Sequence, residues 1–476
     1  MTALSWKALE VARATGGKIS GAPGWQAHGV SIDSRTVKPG DLFIALKGPS
    51  HDGHDHVEKA LKAGAAMAIV SQQPKNVPGN APLIMVADTM RALEDLGRAA
   101  RARAQGRIIA VTGSVGKTGT KEMLRLMLSA AGEAYANEGS LNNQWGVPLS
   151  LARLPESAHF GVFELGMNHA GELGLLAKQV QSHVALITNV ESVHLEFFPS
   201  VEAIADAKAE IFTGMSTEST AILNRDNAYF DRLDDAACAQ RIRRIISFGR
   251  HKLSEARLID CKSDPQGSNV EVEIFGRPMK YRLGAPGEHL VLNSLGALLS
   301  AVTAGADADI CAAALEHYIP PKGRGAAQTI PVSGGTITLI DESYNASPPS
   351  VRAAITVLGR MKPAPDGRRI LALGDMRELG DEGPALHAAL AKDIMEAKID
   401  RVYCCGPMMM HLYEELPEDV RGFYAETSAA LAPRVATELR ANDIITIKGS
   451  KAIEMPAVIE AIKAMSINSV KQKTGG

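Results

Sequence analysis

The chain has 476 residues, 45% hydrophobic and 22% charged, the proportions of a globular protein too long for one hydrophobic core, so two to four domains are expected. Its 51 basic side chains nearly balance 53 acidic ones, and the formal charge of −2 excludes a general attraction to a nucleic-acid backbone or an anionic membrane. Any anionic ligand must therefore be gripped locally. Five cysteines, Cys238, Cys261, Cys311, Cys404 and Cys405, form no C-x-x-C spacing, which argues against zinc or a redox pair and fits a reducing cytoplasm. The adjacent Cys404 and Cys405 end an apolar run and read as buried strand residues. The amino terminus lacks a basic region followed by an apolar core, and no apolar stretch approaches the roughly 20 residues of a membrane span. A cytoplasmic chain without membrane insertion is expected.

Short β-rich runs alternate with helical patterns from end to end, which predicts an α/β fold of parallel sheets flanked by helices. A first unit is expected over residues 1–105, with strands at 41–46 and 66–70. Its helix over 89–104 is rich in arginine, but Glu94 and Asp95 are mixed in, so it reads as a solvated face rather than a basic patch. A second unit, 106–325, opens with a strand at 107–112 and continues with strands at 161–165 and 184–188. It closes on the linker Pro320-Pro321-Lys322-Gly323-Arg324-Gly325. The third, 326–476, repeats the alternation with strands at 336–341, 369–374, 401–406 and 444–449.

Directly after the strand ending at Thr112 stands Gly113-Ser114-Val115-Gly116-Lys117-Thr118, followed by a helical pattern from Lys121. Strand, glycine loop and helix stand in the order that a phosphate cradle requires. The glycines let backbone N–H groups crowd around phosphate oxygens, Lys117 can reach the β and γ phosphates, and the Thr118 hydroxyl can bind Mg²⁺. Glu164 ends an apolar strand, where a carboxylate on the loop edge of a parallel sheet can face those phosphates and hold the metal.

Only two residues separate the first glycine from Gly116-Lys117, against four in the generic phosphate loop. This shortened Thr-Gly-x-x-Gly-Lys-Thr form resembles the Mur ligases and their relative folylpolyglutamate synthase, and the resemblance extends over essentially the whole chain. It implies three domains: a central phosphate-loop sheet domain binding ATP, an amino-terminal α/β domain for a UDP-sugar, and a carboxy-terminal Rossmann-like α/β domain for the incoming amino acid or peptide. Ile32-Asp33-Ser34-Arg35 and His51-Asp52-Gly53-His54 look like the family's nucleotide-sugar segments, which casts Ser34, Arg35 and His54 as substrate contacts; on local sequence alone the second reads as a polar turn. Leu141-Asn142-Asn143-Gln144-Trp145-Gly146-Val147-Pro148 and Glu164-Leu165-Gly166-Met167-Asn168-His169-Ala170-Gly171-Glu172 resemble the family branch that adds D-alanyl-D-alanine, implicating Asn142 and Asn143. The sibling that adds diaminopimelate carries Asp-Asn-Pro-Arg, which is absent here. Gly119, counted with residues 113–118 in the nucleotide loop, replaces a commoner hydroxyl residue, and Met167 a commoner small one.

The same resemblance implies that His194 binds a second Mg²⁺, and that Lys208 carries a CO₂-derived carbamate supporting it. The alternatives are a structural histidine and an ordinary helix lysine. His289 and Asn293 are similar to residues that contact adenine, His289 having a helix cap as its alternative. Arg324 resembles an arginine that approaches the γ-phosphate, with Lys322 as a rival, and Asp341 an acid that touches the ribose. Asp341-Glu342-Ser343-Tyr344-Asn345-Ala346-Ser347-Pro348 is close to the family's Asp-x-x-Tyr-Asn-Ala-Asn-Pro signature, with Ser347 for the second asparagine, and makes Tyr344 and Asn345 substrate contacts.

The expected reaction is ATP-dependent ligation of D-alanyl-D-alanine to UDP-N-acetylmuramoyl-tripeptide through an acyl-phosphate, in peptidoglycan assembly, by a monomer with two Mg²⁺ ions. Lys117, Lys208, His194 and Arg324 are the candidate catalytic residues; Thr118, Glu164, His194 and Lys208 are the candidate metal-site residues. Such chemistry needs the domains to close and exclude water, with an open form without ligands. Another Mur-type ligase, folylpolyglutamate synthase or a regulatory ATPase are the alternatives.

Overall fold

The computed structural model describes residues 4–474 apart from Ala22, His194 and Pro265, with side chains as far as residue 465. Three large sheets follow one another along the chain. The first has five strands in the order Lys18–Ser20, Leu83–Met85, Met67–Val70, Asp41–Ile44, Gly29–Ser31, parallel except for the first pair. The last has six, ordered Ala326–Val332, Gly335–Glu342, Ile444–Lys448, Arg369–Gly374, Arg401–Cys405, Arg421–Ala425, again parallel beyond an antiparallel first pair.

Between them lies a nine-stranded sheet. Its parallel part runs Ala134–Ala136, Phe160–Glu164, Arg107–Thr112, Val184–Ile187, Thr220–Asn224, Arg244–Gly249, Ala256–Asp264. Two antiparallel strands, Gly267–Ile274 and Arg277–Leu283, extend it beyond Ala256–Asp264; the sequence reading did not foresee them. Strand Arg107–Thr112 shows why a continuous apolar run is needed at the centre. Its side chains alternate between faces, so Ile109 and Val111 enter one core, with Met123, Leu124 and Leu295, while Ile108 and Ala110 enter the other, with Leu173 and Ile204. The carboxy-terminal sheet repeats this, Leu371 and Leu373 facing one core and Ile370 and Ala372 the other. Cys404 and Cys405 are buried on its neighbouring strand as free thiols, which burial pushes up, Cys405 to about 11.

Helix Thr89–Arg103 departs from the solvated reading. Arg98 does pair with Asp95 in solvent at 2.6 Å. Arg101, however, donates to the carbonyls of Val180 and Gln181 at 2.8 and 2.9 Å, and the Arg103 guanidinium lies 4.0 Å over the Trp6 ring. Arg101 binds the amino-terminal unit to the central one, while Arg103 packs within its own unit, and Gly97 lets the helix approach the Pro148 carbonyl. No helix among the described residues is long and apolar enough to cross a membrane.

Candidate active site

Four residues after strand Arg107–Thr112, helix Lys117–Ala131 begins, and the turn between them is built by two glycines. Gly113 has φ +149° and Gly116 φ +84°. A Cβ on Gly113 would lie 1.9 Å from Thr188 Oγ1, and one on Gly116 2.5 Å from Asn293 Nδ2, so only glycine fits either place. The loop after strand Val184–Ile187 pins the turn. Ser114 N–H donates to the Asn189 carbonyl at 3.0 Å, Val115 N–H to Asn189 Oδ1 at 3.1 Å, and Thr188 Oγ1 to the Val115 carbonyl at 2.8 Å. Ser114 Oγ donates to the Glu191 carbonyl at 3.1 Å and accepts from the Glu191 N–H at 2.9 Å.

Lys117 folds back over this turn and donates to the Gly113 carbonyl at 2.7 Å. Burial and the charge of Arg324 hold its pKa below the ordinary lysine value, against the opposing pull of Glu164. Lys117, Glu164 and Arg324 therefore sense one another across a single site. Glu164 is 1% exposed. Its Oε1 accepts from Asn142 Nδ2 at 2.7 Å and its N–H donates to Asn137 Oδ1 at 2.9 Å, but Oε2 is buried without a partner among the described residues. The Thr118 hydroxyl is likewise buried without one. Two orphaned oxygens in this position are costly unless something fills their coordination, and a hard divalent cation taking oxygen ligands fits them. No group of three or more His, Cys, Asp or Glu side chains that could hold a metal occurs among the described residues, so these oxygens would share the ion with phosphate and water.

Lys208 lies in helix Val201–Ala209 and is 2% exposed. Burial, reinforced by the charge of Lys117, drives its pKa well below the ordinary value. An unprotonated amine is what reaction with CO₂ requires. His194, the expected second metal ligand, lies outside the described residues.

On the carboxy-terminal side, Asp341 is the penultimate residue of strand Gly335–Glu342 and is 2% exposed. It accepts from Gly323 N–H at 3.1 Å, Ser343 N–H at 3.1 Å and Ser343 Oγ at 2.6 Å, so here it fixes the linker turn that carries Arg324. Arg324 stacks on Tyr344, its Cζ 4.1 Å from the ring centroid, and the Tyr344 hydroxyl is hydrogen-bonded to Ser140 Oγ of the central unit. Lys322 is exposed. Asn293 abuts the phosphate turn at Gly116. His289 is the second residue of helix Glu288–Thr303 and not its cap; burial lowers its pKa, and Glu342 and Lys448 lie near enough to act on it. Asn345 is exposed, and its carbonyl accepts from Lys448 Nζ, which also pairs with Glu342 at 3.0 Å. The central and carboxy-terminal units meet here, and a second seam runs from Glu196 N–H to the Glu378 carbonyl at 3.3 Å.

The amino-terminal candidates stand apart. Arg35 is exposed and grips Asp33 with two nitrogens at 2.6 to 3.1 Å, which holds the Asp33 carboxyl down to about 2, and Ser34 lies between them. His54 is 5% exposed and fully used inside its own unit: Nδ1 meets Asp52 Oδ1 at 2.6 Å and Nε2 accepts from Ser71 N–H at 2.9 Å. Asn143 Oδ1 accepts from Gly146 N–H at 2.9 Å at the head of helix Gly146–Ala152.

Two contributors escaped the sequence reading. Lys121 is wholly buried, donating to the carbonyls of Asn137 and Gly139 at 2.7 and 3.0 Å and pairing with Glu122 at 2.5 Å. Asn137 in turn holds Glu164. The signal was a lysine three and seven residues before the core positions Leu124 and Leu128, on the face that should be apolar.

Comparison with known proteins agrees with this geometry over the chain's whole length. Residues 26–105 match the Mur ligase family catalytic domain, 111–301 the Mur ligase middle domain, and 327–451 the Mur ligase glutamate ligase domain. A UDP-N-acetylmuramoyl-tripeptide--D-alanyl-D-alanine ligase of Rickettsia prowazekii is 32% identical over 455 residues, 96% of this chain and 99% of that one. The crystal structure of MurF from Acinetobacter baumannii superposes with a TM-score of 0.85 at 30% identity, covering 98% and 100% of the two chains. That of MurF ligase from Thermotoga maritima in complex with ADP gives 0.77 at 26% identity, covering 92% and 98%. Phosphate turn, sheet order and full-length similarity therefore lead to one conclusion: this chain belongs to the Mur ligase family.

Proposed function

We propose that the chain joins D-alanyl-D-alanine to the terminal carboxyl of UDP-N-acetylmuramoyl-tripeptide with consumption of ATP, yielding ADP, phosphate and the UDP-linked pentapeptide of peptidoglycan synthesis. The Rickettsia prowazekii relative carries this activity in its name and aligns over 96% of this chain. The observation that carries the chemistry is the pair of orphaned buried oxygens, Thr118 Oγ1 and Glu164 Oε2, around an ammonium folded over a glycine turn.

A carboxylate resists an amine because oxide is a poor leaving group, and phosphorylation to an acyl-phosphate removes the obstacle. Lys117 and Arg324 present positive charge to the transferring phosphoryl group, and the backbone N–H groups from Gly116 to Gly119, at the head of the helix, cradle its neighbours, while those of Ser114 and Val115 stay bonded to Asn189. Mg²⁺, held by Thr118 and Glu164 when bound, supplies further charge neutralisation. Asn142 keeps the Glu164 carboxylate aimed, and Asn137 holds the Glu164 backbone. Residues 1–105, with Ser34 and Arg35 on an exposed turn, take the UDP-sugar; 106–325 take ATP, with His289 and Asn293 on the nucleotide side; 326–476, with Asn345, receive the dipeptide. His54 supports its loop from within rather than touching substrate. Lys208, carrying a carbamate, and His194 would hold a second Mg²⁺, which would add to the charge neutralisation. The protein acts as a cytoplasmic monomer on small-molecule substrates.

Phosphate release from ATP and Mg²⁺ is measured with both substrates, with each omitted, and with single amino acids replacing the dipeptide. Release that requires both, with a pentapeptide product, is expected. Turnover indifferent to the dipeptide would move the assignment to a sibling ligase or a regulatory ATPase.

A further inference from the structure

Tyr344 touches two parts of the site, one with its ring and the other with its hydroxyl. Its ring carries the Arg324 guanidinium, 4.1 Å above it, and its hydroxyl is bonded to Ser140 Oγ on the other unit. Ser140 sits on a short, stiff loop. The Lys121 ammonium fastens the carbonyls of Asn137 and Gly139, the Asn137 amide donates to the Leu141 carbonyl at 3.1 Å, and Asn142 N–H donates to the Ser140 carbonyl at 2.9 Å. That loop ends on the Asn142 side chain, which orients Glu164. At the other end, the turn bearing Arg324 is tied to the carboxy-terminal unit by Asp341 and by the Tyr344 N–H to Gly323 carbonyl bond at 3.1 Å. One continuous chain of contacts thus runs Arg324, Tyr344, Ser140, Asn142, Glu164.

We infer that Tyr344 is a positioning residue, not a substrate contact: its hydroxyl bond to Ser140 couples closure of the carboxy-terminal unit to the simultaneous placement of Arg324 at the phosphates and Glu164 at the metal. This rests on the ligase reading above. The physical reason lies in where the partners reside. Arg324 belongs to the linker and moves with the carboxy-terminal unit, whereas Lys117, Thr118 and Glu164 are fixed to the central sheet. Stacking alone keeps Arg324 beside Tyr344 in any arrangement of the units. The hydroxyl bond registers that pair against the central site, and it forms only when the units meet. Its stabilisation is therefore felt in the closed, reacting state.

The test compares Tyr344→Phe, Ser140→Ala, their double variant and Ser140→Thr in the full chain. Steady-state phosphate release is followed with all three substrates, and small-angle scattering follows contraction on adding Mg²⁺ with a non-hydrolysable ATP analogue. Each single change is expected to lower kcat roughly 3- to 10-fold, the worth of one neutral hydrogen bond, with KM for every substrate unchanged. The double variant should be no worse than either single one, Ser140→Thr should retain activity, and nucleotide should contract the wild type more than the variants. Wild-type kcat in either single variant, multiplying losses in the double, or a change confined to the KM of one substrate would overturn the coupling. If the wild type makes no pentapeptide, the ligase reading fails by itself, and the scattering comparison still decides: equal contraction in wild type and variants refutes the coupling.

Discussion

Asn142 donates to one oxygen of Glu164 at 2.7 Å and leaves the other buried with no partner among the described residues, so an uncharged amide fixes the direction in which a carboxylate offers its free lone pairs. Removing the amide frees the carboxylate to rotate without removing any ligand. Asn142→Ala is expected to raise the Mg²⁺ concentration for half-maximal phosphate release roughly 10- to 100-fold, the usual effect of losing a residue that orients a metal ligand. A Mg²⁺ titration identical to that of the wild type would show that Glu164 does not meet the metal.

Lys208 should be needed for its nitrogen rather than for its charge. Lys208→Ala is predicted to cost roughly 100-fold or more in kcat, the scale of a lost electrostatic stabiliser, and to recover part of it when formate or acetate is added. Wild-type protein in CO₂-depleted buffer should regain activity on addition of bicarbonate. Undiminished turnover by the alanine variant would end the carbamate assignment.

Gly116→Ala tests the phosphate turn. At φ +84° an L side chain is strained, and its Cβ would press on the Asn293 amide at 2.5 Å. A stability loss of about 1 kcal/mol or more is expected, together with weaker nucleotide binding. Calorimetric titration with the ATP analogue checks the second part, and an unchanged Kd would mean that Asn293 and the turn do not meet nucleotide.

Acid stability should depend on His387. It is wholly buried, with Nε2 accepting from Met376 N–H at 3.0 Å and Nδ1 bonded to the Gly383 carbonyl at 2.6 Å, an arrangement that needs the neutral ring. Burial holds its folded pKa below the ordinary value, as it does for His183 and His289. The unfolded chain then binds the proton at higher pH than the folded one, so the stabilisation is complete above about pH 6.5 and drains away as pH falls through the folded pKa. Melting curves between pH 7.5 and 5 should show a falling Tm, and a shallower fall for His387→Gln. Parallel curves would exclude His387 as a contributor.

Much of the fold and part of the site could be read from local signals. Apolar runs such as 107–112 and 369–374 must be strands buried on both faces, because nothing else accommodates consecutive aliphatic side chains between polar turns. Gly113, Gly116, Lys117 and Thr118 announce a phosphate turn because backbone freedom, a cation and a hydroxyl are needed within one helical turn of each other. Glu164 was legible as a carboxylate stranded at the end of an apolar strand.

Other features were set by packing between distant segments. Ser140 and Tyr344 are 204 positions apart, and neither carries a mark of the other. His54 reads as a polar loop residue but is enclosed by Asp52 and Ser71, and Arg101 reads as solvated but clamps two carbonyls of the next unit. Asp341 lies in a recognisable signature, yet its oxygens are committed to the linker turn only because strand Gly335–Glu342 delivers it there. Periodicity and backbone freedom are properties of neighbours along the chain and survive in the sequence. Which polar groups satisfy one another once water is excluded depends on how the sheets and helices come together, and that was decided by the tertiary structure alone.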